Sequence, residues 1–169
     1  MKTYFLTACA LVLSVLAAPS VDAENTSADG PAQFERLKQL IGEWDAPLGK
    51  NEVMTDIFRP MGSGTAILHE EWKNGEQLTA TVFYVVGNEL HADHFCDFGN
   101  QLRYVAKPST DANVMAFELR DSTNLDTHPR HFHSTTWHFI DATHHTQDWE
   151  IMSPGKDPKL VRLEFTRKK

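Results

Sequence analysis

From residue 43 to its C-terminus, the chain alternates between short segments of period-two hydrophobicity and clusters of turn-forming residues. Period two places alternate side chains on opposite faces of a β-strand. Turn signals such as Asn74-Gly75 and Gly87-Asn88 separate the segments and favour tight hairpins. The pattern predicts ten strands, at residues 43–48, 52–59, 65–72, 77–86, 89–96, 102–107, 114–120, 131–141, 146–152 and 160–167.

A single short helix precedes these strands. Phe34, Leu37, Leu40 and Ile41 recur at helical spacing within residues 33–41, and Gly42 is a typical helix stop. The strand connections are short except at residues 121–130, and short connections favour antiparallel neighbours over the crossings of a sandwich. We therefore expect an all-β fold, an antiparallel up-and-down barrel of about ten strands with a short N-terminal helix.

The N-terminus has the features of a secretory signal. Lys2 is followed by an apolar run and then by Val21-Asp22-Ala23, a small-x-small cleavage pattern. We interpret residues 1–23 as a signal peptide, residues 24–32 as a disordered leader and residues 33–169 as one domain. The protein is then exported, to a periplasm or out of the cell, without a membrane span. Lipidation at Cys9 is the competing interpretation.

Charge and cysteine content narrow the function classes. The formal net charge is −7, and the chain lacks the clustered Lys and Arg of a nucleic-acid footprint. Removal of Cys9 with the signal leaves Cys96 as the single cysteine, so no disulfide can form within the mature chain. We expect no nucleic-acid partner, and a thiol that is buried, ligated or reactive.

Two pairs of possible ligands have period-two spacing. His94 and Cys96 end the fifth predicted strand, and His131 and His133 begin the eighth. In an antiparallel meander these two ends meet at one rim of the barrel. Trp137 and Phe139 favour the odd face of the eighth strand as the inner one, so we expect all four side chains to point inward.

The same parity test predicts that aromatic and apolar side chains line the lumen of the barrel. It places Gln147 and Trp149 inside on the ninth strand, and Trp137 inside on the eighth. An apolar lumen with polar groups at one rim is typical of a pocket for a small apolar or amphipathic molecule. His69 and Glu71 end the third strand at the same rim with ambiguous facing, and an inward orientation of either would strengthen a metal site.

Several short motifs resemble those of a known family. They are the stretch from His94 to Arg103 with its Gly99-Asn100-Gln101 element, Thr123-Asn124-Leu125, His131-Phe132-His133-Ser134 and Thr146-Gln147-Asp148-Trp149. The chain resembles uncharacterised bacterial lipocalin-like barrels that are related to nitrobindin-like and fatty-acid-binding-like proteins. It departs from them at Leu102, where the family usually has proline.

The resemblance implies a ten-stranded barrel with an internal cavity and no settled activity. The family pattern and the rim position of Arg103 together imply that this side chain points inward, where it grips a carboxylate or phosphate of a ligand or forms a buried salt bridge with Glu118 or Asp121. Gln101 and Asn124 join the polar rim. Haem, which nitrobindin-like relatives bind through one histidine, is a weaker alternative here because no motif identifies that histidine.

Three functional hypotheses follow. The first is a small-molecule-binding barrel whose ligand contacts His94, Cys96, Gln101, Arg103, Asn124, His131, His133, Trp137, Gln147 and Trp149. The second is a zinc or copper site formed by His94, Cys96, His131 and His133, in a metal-binding protein or a metal-dependent enzyme. The third is a scaffold in which the histidines form only a hydrogen-bonded polar rim.

Overall fold

A computed structural model of the protein describes residues 29–169. The predicted signal peptide with Cys9, and residues 24–28 of the predicted leader, lie outside the described residues. The helix, α1, spans Gly30–Leu37, and a 3₁₀ turn over Lys38–Leu40 continues it. It begins three residues before the predicted start because the Asp29 side chain caps it, accepting a hydrogen bond from the Ala32 amide at 3.1 Å. The predicted leader therefore ends in helix.

Ten antiparallel strands close into one barrel, as predicted. Consecutive strands are neighbours, and the last pairs with the first. The strands are β1 Gly42–Gly49, β2 Glu52–Met61, β3 Ala66–Lys73, β4 Glu76–Val86, β5 Glu89–Phe95, β6 Gln101–Ala106, β7 Val114–Ser122, β8 His131–Phe139, β9 His144–Met152 and β10 Lys159–Arg167. None of the helices within residues 29–169 is long and apolar enough to cross a membrane.

The seam that closes the barrel, between β1 and β10, is short. Only Trp44 with Arg167 and Asp45 with Thr166 are paired there. The Arg167 side chain reinforces the seam by donating hydrogen bonds to the carbonyls of Gln39, Ile41 and Ala142, and its guanidinium lies 4.0 Å from the centre of the Trp44 ring. One cation thus ties the end of β10 to the start of β1.

The helix covers one end of the barrel. Phe34 and Leu37 of α1 and Leu40 of the 3₁₀ turn are buried in the core, and the Trp44 indole donates to the Leu40 carbonyl at 2.7 Å. Gly30 lies directly on the β4–β5 turn, where its amide donates to the Asn88 carbonyl at 2.9 Å. The rim predicted to hold His94, Cys96, His131 and His133 lies at the opposite end, called here the open rim.

Strand β8 contains a β-bulge. Phe132 pairs with Ile151 and Ser134 pairs with Glu150, so His133 is an extra residue with no partner of its own on β9. A bulge of this kind reverses the inward and outward alternation on its two sides. Thr135, Trp137 and Phe139 point inward as predicted, but beyond the bulge it is Phe132 that packs against the core.

We expect Gly30→Ala to destabilise the protein by about 1–3 kcal/mol, although alanine normally favours a helix. A β-carbon at this position would lie 2.5 Å from the Glu89 carbonyl carbon and 2.6 Å from the Leu90 nitrogen. Because both contacts are with backbone atoms, the helix would have to move away from the β4–β5 turn. Urea unfolding measures the change. Glu35→Ala, on the exposed face of the same helix, is the control and should change stability by less than about 0.5 kcal/mol. Equal stabilities of the two variants would contradict the close contact.

Candidate functional site

His94 lies inside the barrel near the open rim, where parity placed it, and Cys96 follows the last residue of β5 at the same rim. His94 is 1% exposed, and its Nδ1 shares a hydrogen bond with the Thr81 hydroxyl at 2.8 Å. Cys96 is a half-buried free thiol whose Sγ accepts a hydrogen bond from the Phe98 amide at 3.4 Å. Burial raises the pKa of the Cys96 thiol to about 12, so the sulfur is protonated at neutral pH.

The inward placement predicted for His131 and His133 is wrong. The bulge turns Phe132 inward and leaves His133 exposed, with His131 partly exposed and its Nδ1 2.9 Å from the Pro129 carbonyl. The two rings lie side by side, 5.6 Å apart, at the outer edge of the open rim. His94, Cys96, His131 and His133 therefore do not converge as the predicted metal-ligand set. Among residues 29–169, a different group of three potential ligands converges.

Arg103 also points outward, in contrast to its expected inward placement. Leu102, Tyr104 and Ala106 occupy the inner face of β6, so Arg103 is on the outer face, half exposed, where it forms an ion pair with Asp121. This is one of the two partners expected for a salt bridge, but the pair is exposed rather than buried.

Gln101 and Asn124 hold loops together at the open rim. The Thr123 hydroxyl donates to Gln101 Oε1 at 2.6 Å, and the Asn124 amide group donates to the Gly99 carbonyl at 3.1 Å. Both residues are exposed. A role of Gln101, Arg103 or Asn124 in ligand binding stays a prediction.

The interior contains a cluster of buried polar side chains, here called the polar layer. Its members come from β2, β3, β4 and β9, and they are Asp56, His69, Glu71, Thr79 and Gln147. Gln147 Nε2 donates to Asp56 Oδ2 at 2.8 Å, and the Trp149 indole donates to Gln147 Oε1 at 3.0 Å. His69 Nε2 lies 2.9 Å from Asp56 Oδ2, and the Thr79 hydroxyl donates to Glu71. Gln147 and Trp149, predicted to be inside, are thus confirmed there.

Carboxylates control the protonation of this layer. Burial lowers the pKa of His69, but the nearby Asp56, Glu71 and Glu70 carboxylates outweigh it and raise the pKa overall. Burial raises the pKa of Glu71 to about 7, and the Asp56 carboxylate adds to this, while His69 and the Thr79 hydrogen bond oppose it. His69 and Glu71 therefore both keep their protons to a higher pH than the free side chains do.

Several atoms of the polar layer have no hydrogen-bond partner in the protein. They are Asp56 Oδ1 and both ring nitrogens of His69, whose contact with Asp56 is close but lacks hydrogen-bond geometry. One ligand atom from each of Asp56, His69 and Glu71 lies within 4.8 Å of the others, which is compact enough for a metal ion. A buried polar atom without a partner costs about 1–3 kcal/mol, so the layer favours an additional partner that is not part of the chain.

Two further buried histidines are neutral. Burial, with a smaller contribution from the charge on His69, lowers the pKa of both His94 and His145 to about 3. His145 stacks on Phe165 with ring centres 4.9 Å apart, at the helix-covered end of the barrel.

Outside the barrel, a groove of about 740 Å³ runs between α1 and the loop at residues 107–113. Gln33 and Arg36 line one side and Met115 lies at its base. No residue of the polar layer and none of the predicted rim ligands lines this groove.

Sequence reasoning did not identify Asp56. A signal was present, because Met54, Asp56 and Phe58 share one parity of β2, and Phe58 is a core residue. A lone carboxylate in an alternating strand nevertheless normally indicates the solvent face. His69 and Glu71 were singled out with ambiguous facing, and the structure turns both inward.

Comparison with known proteins shows the fold and no more. No protein-family model matches the chain, and no curated protein matches it. A solved structure, that of Rv2717c from M. tuberculosis, is similar with a TM-score of 0.58 and 14% sequence identity, over 81% of this chain and 98% of that chain. The likeness supports the ten-stranded barrel and transfers no function.

We expect the two neutral histidines to make the fold sensitive to acid. Their folded-state pKa values lie below the ordinary 6.5, so the unfolded chain binds more protons, and stability falls as pH drops from about 6.5 towards 3. Replacing His145 by Phe keeps a flat ring against Phe165 and removes one titrating group. Between pH 7 and pH 5 the wild type should lose about 2 kcal/mol more unfolding free energy than the variant.

Urea unfolding at several pH values tests this expectation. The comparison with the wild type is essential, because the raised pKa values of His69 and Glu71 act with the opposite sign and are common to both proteins. His133→Gln, at an exposed histidine, is the control and should follow the wild type. Parallel pH dependences of the wild type and His145→Phe would show that His145 is not buried in the neutral form.

Proposed function

We propose that the protein is an exported small-molecule-binding barrel, with a ligand site just inside the open rim. One observation carries the proposal, the unpartnered Nε2 of His94. This nitrogen belongs to a fully buried, neutral imidazole whose other nitrogen is held by Thr81. A closed ten-stranded barrel is compatible with ligand binding.

Aromatic rings surround this imidazole. The ring centres of Tyr104, Phe132 and Trp149 lie 6.3, 5.8 and 5.7 Å from that of His94. Their faces offer apolar contact, and His94 Nε2 supplies one directional hydrogen bond. One polar group within aromatic walls is typical of a site for a small, flat, apolar or amphipathic molecule.

The access to this position is closed by partly exposed side chains of the rim loops. Phe98 stacks on Phe132 with ring centres 5.1 Å apart, and the Arg130 guanidinium lies 4.0 Å from the centre of the Phe98 ring. The buried Asn100 side chain fixes the loop by donating to the carbonyls of His128 and Arg130 at 2.9 and 2.7 Å. We expect movement of Phe98 and Phe132 to expose the surroundings of His94 to solvent.

Export is part of the proposal and rests on residues 1–23. A periplasmic or extracellular barrel of this size would act by sequestering or carrying its ligand. The family resemblance to lipocalin-like barrels supports that role. Catalysis at the rim and haem binding stay predictions that no contact in residues 29–169 favours.

Replacing His94 by Phe should abolish or weaken ligand binding, because it removes the buried hydrogen-bonding group and fills its space. Two neutral fluorescent dyes serve as probes, Nile red as a hydrogen-bond acceptor and N-phenyl-1-naphthylamine as a donor. We expect saturable binding of at least one dye to the mature protein, weakened about tenfold or more in the variant, which corresponds to about 1.4 kcal/mol or more.

His91→Phe is the matched control, since His91 is on the same strand and faces outward against Tyr84. It should bind the dye as the wild type does. Failure of both dyes to saturate the wild type, or an equal affinity of the His94→Phe and His91→Phe variants, would refute the proposed site.

A further inference from the structure

We infer that Asp56, His69 and Glu71 form a binding site for one divalent transition-metal ion inside the barrel. This site is separate from the proposed small-molecule site and uses none of the four predicted ligands His94, Cys96, His131 and His133, although the sequence itself indicates that an inward His69 or Glu71 would strengthen a metal site. It contains two carboxylates and one imidazole, each able to provide a ligand atom within 4.8 Å of the other two. Oxygen and nitrogen ligands in this proportion bind first-row divalent metals.

The backbone holds the three ligands in place. Asp56 pairs with Glu71 and Phe58 pairs with His69 across β2 and β3, so the three side chains project inward from two hydrogen-bonded strands. Phe58 also stacks on the His69 ring, with centres 4.2 Å apart and nearly parallel planes. Ligands on paired strands, with one ring fixed by packing, are preorganised for binding.

The unpartnered atoms provide a second, independent indication of a ligand. Asp56 and His69 are both 0% exposed, yet Asp56 Oδ1 and His69 Nδ1 have no hydrogen-bond partner in the protein, and His69 Nε2 has only its 2.9 Å ion-pair contact with Asp56 Oδ2. Unsatisfied polar atoms are rare in folded interiors, and those that occur call for a water or an ion. Here they belong to the same side chains that converge as potential metal ligands.

The outer contacts fit a metal site as well. Gln147 donates to Asp56, and Thr79 donates to Glu71. Such hydrogen bonds orient carboxylate ligands and leave their remaining lone pairs free for the ion. A doubly charged cation would also balance the charges of the two buried carboxylates, with His69 bound as the neutral imidazole.

The ligand set selects among divalent ions. Calcium takes six to eight oxygen ligands, and magnesium prefers octahedral oxygen coordination with several waters. Two carboxylates and one imidazole in a buried site provide neither. Zinc accepts mixed oxygen and nitrogen ligands at about 2.0–2.2 Å, in sites of four ligands. We therefore use Zn²⁺ as the probe, with Mg²⁺ and Ca²⁺ as the ions expected not to bind.

Calorimetric titration of the mature protein, purified without a His tag and freed of metal by a chelator, tests the inference. We expect one Zn²⁺ per chain in the wild type, a higher Tm with zinc, and no comparable response to Mg²⁺ or Ca²⁺. Glu71→Gln, and separately Asp56→Asn, should weaken zinc binding at least tenfold. Glu70→Gln is the matched control, because the Glu70 carboxylate is next along the same strand and is held on the outer face by Arg59.

A second control removes the exposed histidines of the open rim. His131→Ala combined with His133→Ala should retain the zinc site, and loss of binding in that variant would place the ion at the rim and overturn the inference. Absence of stoichiometric zinc binding, or equal binding by the Glu71→Gln and Glu70→Gln variants, would also overturn it. Circular dichroism confirms that each variant is folded. Dye titration of the same samples shows separately whether the small-molecule site exists.

Discussion

Closure of the sheet between β1 and β10 is the constraint on which the rest of this structure depends. A closed barrel has no free edge, and its inward side chains meet one another rather than water. Only two residue pairs form this seam, and Arg167 strengthens it through three backbone carbonyls. Once the seam is closed, each inward polar group needs a partner within the barrel. In the polar layer, the buried side chains are partners of one another, as Gln147 is of Asp56 and Thr79 of Glu71. His94 instead has one hydrogen-bond partner, Thr81, and is otherwise surrounded by aromatic rings.

The buried histidines show how strongly the local surroundings decide charge. His69 lies next to Asp56 and near Glu71, and these carboxylates raise its pKa in spite of burial. His94 and His145 are equally buried but lie among aromatic rings, so burial dominates and their pKa values fall to about 3. One barrel therefore shifts the pKa of the same residue type in opposite directions. The acidic residues on β2 and β3 separate a charged region from a neutral one, and they concentrate cation-binding chemistry on those two strands.

Alternation and turn chemistry were sufficient to predict the barrel, because both are local signals. Parity also placed side chains correctly wherever the strand ladder is regular, as for His94, Trp137, Gln147 and Trp149. Parity failed for His131 because the bulge at His133 adds one residue to β8. No residue type in that segment indicates a bulge. For Arg103 the inward placement came from the family resemblance and from its position at the rim, whereas its inward neighbours Leu102 and Tyr104 place it outside.

The candidate metal cluster was harder to foresee, because it depends on which strands are paired and in which register. Asp56 is 13 residues before His69, and nothing in their separate segments joins them. The register of β2 against β3 does so, by setting Asp56 opposite Glu71 and Phe58 opposite His69. In β3 the facing of His69 and Glu71 was open, since its segment has polar residues on both parities near the rim. Long-range pairing thus supplied what local pattern could not.

The two proposed sites are distinct in their ligands but are joined electrostatically through Glu71. Burial is the main cause of the raised pKa values of Cys96 and Tyr104 at the open rim, and the Glu71 carboxylate adds to both shifts. A cation bound at Glu71 would offset that negative charge and lower the pKa of both rim groups. Because coupling between two sites is reciprocal, a rim ligand that favours the ionised form of either group would in turn strengthen cation binding at Glu71. Two side chains of the polar layer thus act electrostatically on groups at the open rim, Glu71 on Cys96 and Tyr104 and His69 on His94.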